Sequence, residues 1–189
     1  MIRHEMLRKV TSDSSPLHWQ YGAIARMPKH TSIEPLLYGG YSSISLGYIG
    51  LYETTIAMKG VSHTTPEGKE FAMRVMKRLR QACDDWKKQT NIGFALYGTP
   101  AESLCYRFAK IDRAKFGEVE NITDKGYYTN SYHVDVREHI DAFSKLRFEN
   151  EFQPISSGGC ISYVEVPNMQ HNLEAMETLV KFIYDNIQY

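Results

Sequence analysis

The chain has 189 residues, 42% of them hydrophobic and 23% charged, and its 22 Lys and Arg balance 22 Asp and Glu. That length supports one domain burying roughly 70% of the surface its unfolded chain exposes. Zero net charge excludes a general attraction to nucleic acid or to an anionic membrane, so any anion site must be local.

No apolar run reaches the roughly 18 residues a membrane span needs. The amino end, Met-Ile-Arg-His-Glu-Met, is charged, unlike a signal sequence, and the chain reads as cytoplasmic. Residues 1 to 35 read as helical pieces broken by Ser12-Asp13-Ser14-Ser15-Pro16 and by Met27-Pro28. Tyr38 to Gly50 is a glycine-rich strand with its turns, and Leu51 to Lys59 a short helix stopped by Gly60. From Thr65-Pro66-Glu67 to about Thr90, Phe71, Val75, Leu79, Ala82, Cys83 and Trp86 fall at helical spacing. Lys77, Arg78, Lys87 and Lys88 occupy the wet side of that helix.

Phe94-Ala95-Leu96-Tyr97 is continuously apolar, as in a strand covered on both faces. A helix opening at Thr99 follows, then a polar loop from Gly117 to Gly126 and extended structure from Tyr127 to Val136. Ile140 to Phe148 is helical, and Cys160 to Val166 is a β-branched strand ended by Pro167. Leu173, Met176, Leu179, Val180, Ile183 and Ile187 line one face of a last helix. This alternation predicts an α/β fold with mostly parallel strands and right-handed crossover helices.

Ligands of such sheets sit at the carboxyl ends of strands, where Tyr97 to Ser103 falls. With Pro100 at the first helical position, the N–H groups of Ala101, Glu102 and Ser103 and the hydroxyls of Thr99 and Ser103 suit a phosphate. The same residues make an ordinary capping box, in which Thr99 accepts from the third helical N–H and Glu102 reaches back. The chemistry by itself favours the cap. Gly158 and Gly159, before the Cys160 strand, fit a tight turn or a close ligand approach.

Cys83, Cys105 and Cys160 form neither a disulfide framework nor a CxxC metal clip, and read as reduced thiols. Cys83 lies on an apolar helix face, Cys105 near the suggested anion site, and Cys160 is buried or faces a cleft. His133 and Asp135, two apart on a predicted strand, share a face and suit a hydrogen-bonded pair, or exposed strand positions without a chemical role. Tyr127, Tyr128 and Tyr132 on that strand suit cross-strand packing or stacking on a base. His18, beside Trp19, reads as a packed polar residue.

Six stretches together carry a resemblance. Pro16-Leu-His-Trp-Gln, Leu37-Tyr-Gly-Gly-Tyr-Ser, Ser45-Leu-Gly-Tyr-Ile-Gly-Leu-Tyr-Glu53, Tyr97-Gly-Thr-Pro-Ala-Glu-Ser103, Asp124-Lys-Gly-Tyr-Tyr-Thr-Asn-Ser-Tyr-His133 and Phe152-Gln-Pro-Ile-Ser-Ser-Gly-Gly-Cys160 resemble the anaerobic, class III ribonucleoside-triphosphate reductases. The resemblance implies an oxygen-sensitive enzyme that makes deoxyribonucleotides by glycyl and thiyl radical chemistry. It implies a ten-stranded α/β barrel in which Gly98, Thr99, Ala101, Glu102 and Ser103 form the substrate-phosphate loop, and so turns the reading from cap to phosphate cradle.

No match occurs here to the family's regulatory cone, finger-loop cysteine, CxxC zinc site or glycyl-radical motif. Residues 1–189 thus read as a single partial domain, an internal piece of the catalytic barrel, inactive alone and carrying no cofactor of its own. The resemblance places the glycyl radical and the structural zinc of the intact protein outside this segment. Its implied partners are a ribonucleoside triphosphate, the rest of the reductase chain and a radical-SAM activating enzyme. Open sheet edges and the last helix predict self-association. The alternative reading is a non-catalytic nucleotide-binding or assembly domain.

Overall fold

Local signals account for most of the helices. The computed structural model describes residues 2–98 and 100–187, apart from the side chain of Glu102. In chain order these are α1 (Ile2–Leu7), α2 (Pro16–Trp19), β1 (Ser43–Gly47), α3 (Leu51–Lys59), α4 (Pro66–Thr90), β2 (Gly93–Tyr97), α5 (Glu102–Phe116), α6 (Ala142–Asn150) and α7 (Leu173–Asn186). Short 3-10 turns occupy Ser12–Ser14, Glu34–Leu37 and Gln153–Ile155.

Helix α3 stops where Gly60 adopts φ 74° and donates its N–H to the Ile56 carbonyl, a left-handed cap that a side chain would strain. Helix α4 starts with Thr65 Oγ1 accepting from the Gly68 N–H at 3.2 Å, and Asp141 caps α6 by accepting from the Phe143 and Ser144 amides. The buried line of α4 runs through Gly68, Ala72, Met76 and Cys83, while Phe71, Val75 and Leu79 are half-buried. The buried face thus differs in phase from the expected one, and at its start Gly68 lies against the Ser62 carbonyl, where a Cβ would stand 2.0 Å away. Trp86, expected in the core, is 40% exposed and meets Phe94 edge-on at 5.5 Å.

The sheet is small and parallel. Gly93 lies beside Ser42 and Ser43 and Gly47 beside Tyr97, so β1 and β2 run side by side in the same direction. One parallel bridge, Gly98 to Cys160, adds to the edge of β2. In it the Gly98 N–H donates to the Gly159 carbonyl at 3.0 Å and the Ile161 N–H to the Gly98 carbonyl at 3.3 Å. Two expected strands are therefore corrected. Cys160–Val166 pairs only at this bridge, and β-branched residues make no strand where the ladder stops. Tyr127–Val136 is a run of turns, touching Ile49 by a single bridge at Asn130 and passing through Ser131 at φ 43°.

The chain divides into two compact units, residues 1–44 with 83–94, and residues 45–82 with 95–189. In the first, Ile33, Leu37 and Ile92 are buried, the Ser12 hydroxyl donates to the Pro28 carbonyl at 2.7 Å, and Arg8 pairs with Glu34 at 2.6 Å. In the second, Tyr132 and Phe152 stack with centroids 6.0 Å apart, His63 meets Phe148 edge-on at 4.9 Å, and Leu96 and Leu146 are buried. Along α7 only Leu179 of the expected stripe is fully buried, while Leu173 and Val180 are exposed.

The second unit also holds a buried ion cluster. The Lys125 side chain is fully buried, donating to Glu53 Oε1 at 2.5 Å, to Asp135 Oδ2, and to Thr129 Oγ1 at 3.1 Å. Its ammonium lies 4.5 Å from the Tyr52 ring centre and 4.6 Å from that of Tyr127. Arg137 Nε closes the cluster on Asp135 Oδ1 at 3.1 Å. Burial alone would raise the Asp135 pKa, but the hydrogen bond from Lys125, the Arg137 amide and the Lys125 charge outweigh it and hold the carboxyl below its ordinary value.

Replacing Lys125 by Met strands two buried carboxylates, and chemical denaturation should show a loss of about 3–5 kcal/mol. Because the folded pKa of Asp135 is depressed, its contribution is complete above the unfolded value of about 3.9 and is lost as pH falls through the lower folded value. The Asp135→Asn protein should therefore show a shallower acid limb in a plot of unfolding free energy against pH.

Candidate functional site

The turn between β2 and α5 is built from both sides. Gly98 ends the strand in a space with no room for a side chain, since a Cβ there would stand 3.1 Å from the Tyr132 ring, 3.1 Å from Tyr48 Oη and 3.2 Å from Ser156 Oγ. Gly158 backs onto the same strand, its Cβ position 3.0 Å from Ala95 and 3.1 Å from the Leu96 carbonyl, and its N–H donates to that carbonyl at 2.7 Å. Glycine at 158 thus serves close backbone approach.

Helix α5 begins later than the sequence suggested. Ala101 has φ −143° and ψ 50° and stands as the N-cap, and the first helical bond runs from the Cys105 N–H to the Ala101 carbonyl at 2.8 Å. Pro100 therefore precedes the helix rather than opening it. The N–H groups of Glu102, Ser103 and Leu104 fall ahead of the hydrogen-bond ladder. Of the five candidate phosphate-loop residues, Thr99 and the Glu102 side chain lie outside the described residues. Ser103 is exposed.

The other two have committed their amides within the fold. Gly98 donates to Gly159, and the Ala101 N–H donates to Asn130 Oδ1 at 2.8 Å. That same oxygen accepts from Cys105 Sγ at 3.1 Å, so the buried Cys105 is tied to the turn as a hydrogen-bond donor. Asn130 was invisible to sequence reasoning because it lies 29 residues from Ala101.

His133 and Asp135 are brought near this turn but not to each other, and both are buried rather than exposed. His133 Nδ1 lies 2.8 Å from the Asn130 carbonyl oxygen and Nε2 2.8 Å from that of Ile161. A neutral ring donates from one nitrogen only, so both contacts are hydrogen bonds when the ring carries two protons. Asp135 instead serves Lys125, Arg137, Thr129 and the Tyr127 hydroxyl.

Around the parallel bridge the Tyr48 and Ser156 hydroxyls are 3.0 Å apart, and Tyr132 Oη lies 3.3 Å from Ser162 Oγ. Burial pushes both phenols well above their ordinary pKa. Burial also raises the Cys160 thiol against a hydrogen bond with Tyr132, so Cys160 is a thiol rather than a thiolate. Beside Asn130 a cavity of about 320 Å³ is lined by His133, Tyr163, Lys145 and Glu165 among others. Lys145 crosses its wall, donating to Glu149 Oε1 at 2.5 Å and to the Tyr163 carbonyl at 2.7 Å. His18 accepts or donates at Ser15 Oγ, 2.5 Å from Nδ1, on the exposed side of α2.

A small parallel sheet with a helix following its second strand defines an α/β protein. The family profile described as anaerobic ribonucleoside-triphosphate reductase matches residues 1–189. The anaerobic ribonucleoside-triphosphate reductase of Escherichia coli (strain K12) is 41% identical over 192 residues, covering all of this chain and 27% of that protein. The enzyme of that name from Enterobacteria phage T4 is 38% identical over 190 residues, again across the whole chain and 30% of the relative. The chain belongs to the anaerobic ribonucleoside-triphosphate reductase family, and spans less than a third of the length of these curated relatives.

Solved structures agree on the fold. One described as an anaerobic ribonucleotide reductase superposes with a TM-score of 0.67 at 22% identity, over 77% of this chain and 23% of its own. The anaerobic ribonucleotide reductase from Thermotoga maritima with dATP bound in the specificity site gives 0.65 at 18% identity, over 95% of this chain and 28% of its own.

Asn130→Ala removes the acceptor shared by Ala101 and Cys105. It should cost about 1–3 kcal/mol in thermal or urea unfolding and speed hydrogen exchange at the Ala101 amide. An unchanged Ala101 exchange rate would show that this hydrogen bond does not hold the turn.

Proposed function

We propose that residues 1–189 are the part of an oxygen-sensitive ribonucleoside-triphosphate reductase that receives the substrate's phosphates, at the turn formed by Gly98, Thr99, Ala101, Glu102 and Ser103. The observation that carries this reading is the position of that turn, at the carboxyl end of a parallel strand and immediately before a helix, in a chain that belongs to the reductase family along its whole length. Since the Gly98 and Ala101 amides are engaged, the donors offered to a phosphate are the Glu102 and Ser103 amides and the Ser103 hydroxyl, with Thr99. The engaged residues hold the frame. The Thermotoga maritima protein has been crystallised in complex with dATP and CTP, which supports a nucleotide as the ligand class.

In this reading the chain contributes strands and crossover helices to a ten-stranded barrel. The enzyme it serves converts ribonucleoside triphosphates to deoxyribonucleotides by glycyl and thiyl radical chemistry, after activation by a radical-SAM enzyme. Among the described residues no group of three or more His, Cys, Asp or Glu side chains is placed to hold a metal, and Cys83 and Cys105 are each buried. In this reading the structural zinc and the glycyl radical of the intact reductase lie outside residues 1–189. Exposed Leu173, Val180 and Tyr184 on α7 offer a surface for the remainder of the reductase or for a second copy.

Titration of residues 1–189 with CTP, followed by amide NMR, should move the Ser103 and Glu102 signals first, without any deoxyribonucleotide being formed. Ser103→Ala should weaken the binding about tenfold to a hundredfold, the value of one hydrogen bond to a charged group. Shifts confined to other parts of the chain would remove the phosphate role from this turn.

A further inference from the structure

We infer that His133 is a proton-operated clip: with a proton on each ring nitrogen it ties the segment after Cys160 to Asn130, and loss of one proton releases that segment. The residue is buried. Nδ1 lies 2.8 Å from the Asn130 carbonyl oxygen and Nε2 2.8 Å from that of Ile161, acceptors on two separate stretches of chain. A carbonyl oxygen cannot donate, so each nitrogen must bring its own proton, and only the imidazolium has two. The neighbouring rings suit a cation. Tyr132 stacks on His133 with centroids 5.0 Å apart and Tyr163 lies at 5.8 Å, both within the distance at which an aromatic face attracts positive charge.

His63, packed against the same stretch, is the contrast. Its Nε2 lies 3.0 Å from the Tyr132 carbonyl oxygen and 3.1 Å from that of His133, while its buried Nδ1 has no partner. One proton satisfies that ring. Burial outweighs the two carbonyl contacts and holds the His63 pKa below the usual histidine value, so His63 stays neutral.

Other titratable and charged groups reach the His133 surroundings from each element packed there. Tyr132 and Asp135 come from its own stretch, Cys160, Tyr163 and Glu165 from the segment it clips, Lys145 and Glu149 from α6, and Glu138 from the loop before α6. Asp135 is taken by Lys125 and Arg137, Glu138 by the Ser62 and Thr64 hydroxyls, and Glu149 by Lys145. Glu165 is exposed. The ring's charge is thus met by carbonyl dipoles, and no dedicated carboxylate locks its second proton in place.

When that proton leaves, a nitrogen lone pair faces a carbonyl oxygen and one contact must open. Asn130 belongs to the same turn as His133, whose backbone N–H also donates to the Asn130 carbonyl at 3.0 Å, so this end moves with the ring. The Ile161 end gives. Because the Ile161 N–H donates to the Gly98 carbonyl at 3.3 Å, its release loosens the edge that borders the turn after β2. The clip is therefore closed on the acid side of the ring's titration and open on the alkaline side.

The test is a pH series on isotope-labelled protein that reads the His133 ring-nitrogen shifts by NMR together with the protection of the Ile161 amide, corrected for intrinsic exchange. Two protonated nitrogens at the acid end, and a fall of about tenfold in Ile161 protection as the ring loses one proton, would support the clip. His133→Gln has no proton to lose and should keep Ile161 protection flat over the same range; if it fails to fold, the two wild-type readings decide. A ring that keeps one protonation state wherever the protein is folded, Ile161 protection that does not follow the ring, or an undiminished pH response in His133→Gln would each overturn the proposal.

Discussion

The second unit is organised around one buried cation. The Lys125 side chain is shut away from solvent, so its charge is met by Glu53 from α3 and Asp135 from the loop beyond, with the Tyr52 and Tyr127 rings close by. Such a cluster costs desolvation that its attraction only partly returns, and its strength lies in selecting one arrangement over others. Here it fixes a stretch from Asp124 to Asp135 that has almost no ladder of its own. Backbone that would otherwise wander is held by side chains.

From that cluster the constraint passes directly to the candidate site. Thr129, between Glu53 and Asp135, donates its amide to Glu53 and holds its hydroxyl within reach of both carboxylates, and the next residue is Asn130. Asn130 then receives the Ala101 amide and the Cys105 thiol, and its carbonyl meets His133. The start of α5 is thus placed by a chain of contacts that begins at a lysine more than twenty residues away. His133 extends the same chain to Ile161, beside the parallel bridge that borders the turn.

The sequence made the local elements legible and concealed the non-local ones. Helix α3 with its Gly60 stop, and α4 with its Thr65 cap, follow from residues within one turn of each other. Residues Tyr127 to Val136 looked extended because aromatic and β-branched residues favour strands, yet their partners are carboxylates and carbonyls rather than a neighbouring strand. The Glu53–Lys125 pair spans 72 positions, and no periodicity reveals such a contact. For the same reason the turn after β2 was legible as an anion-friendly motif, while the withdrawal of the Ala101 amide into the fold was not.

The packing at Gly98 and Gly158 restricts how this part of the molecule can diversify. Any larger residue at either place would meet phenol, hydroxyl or main-chain atoms at about 3 Å, so the floor of the turn tolerates no variation. Changes in what the turn accommodates must therefore arise on its outer rim, where Ser103 stands exposed, and a laboratory library aimed at altered selectivity should randomise that rim and leave the two glycines untouched.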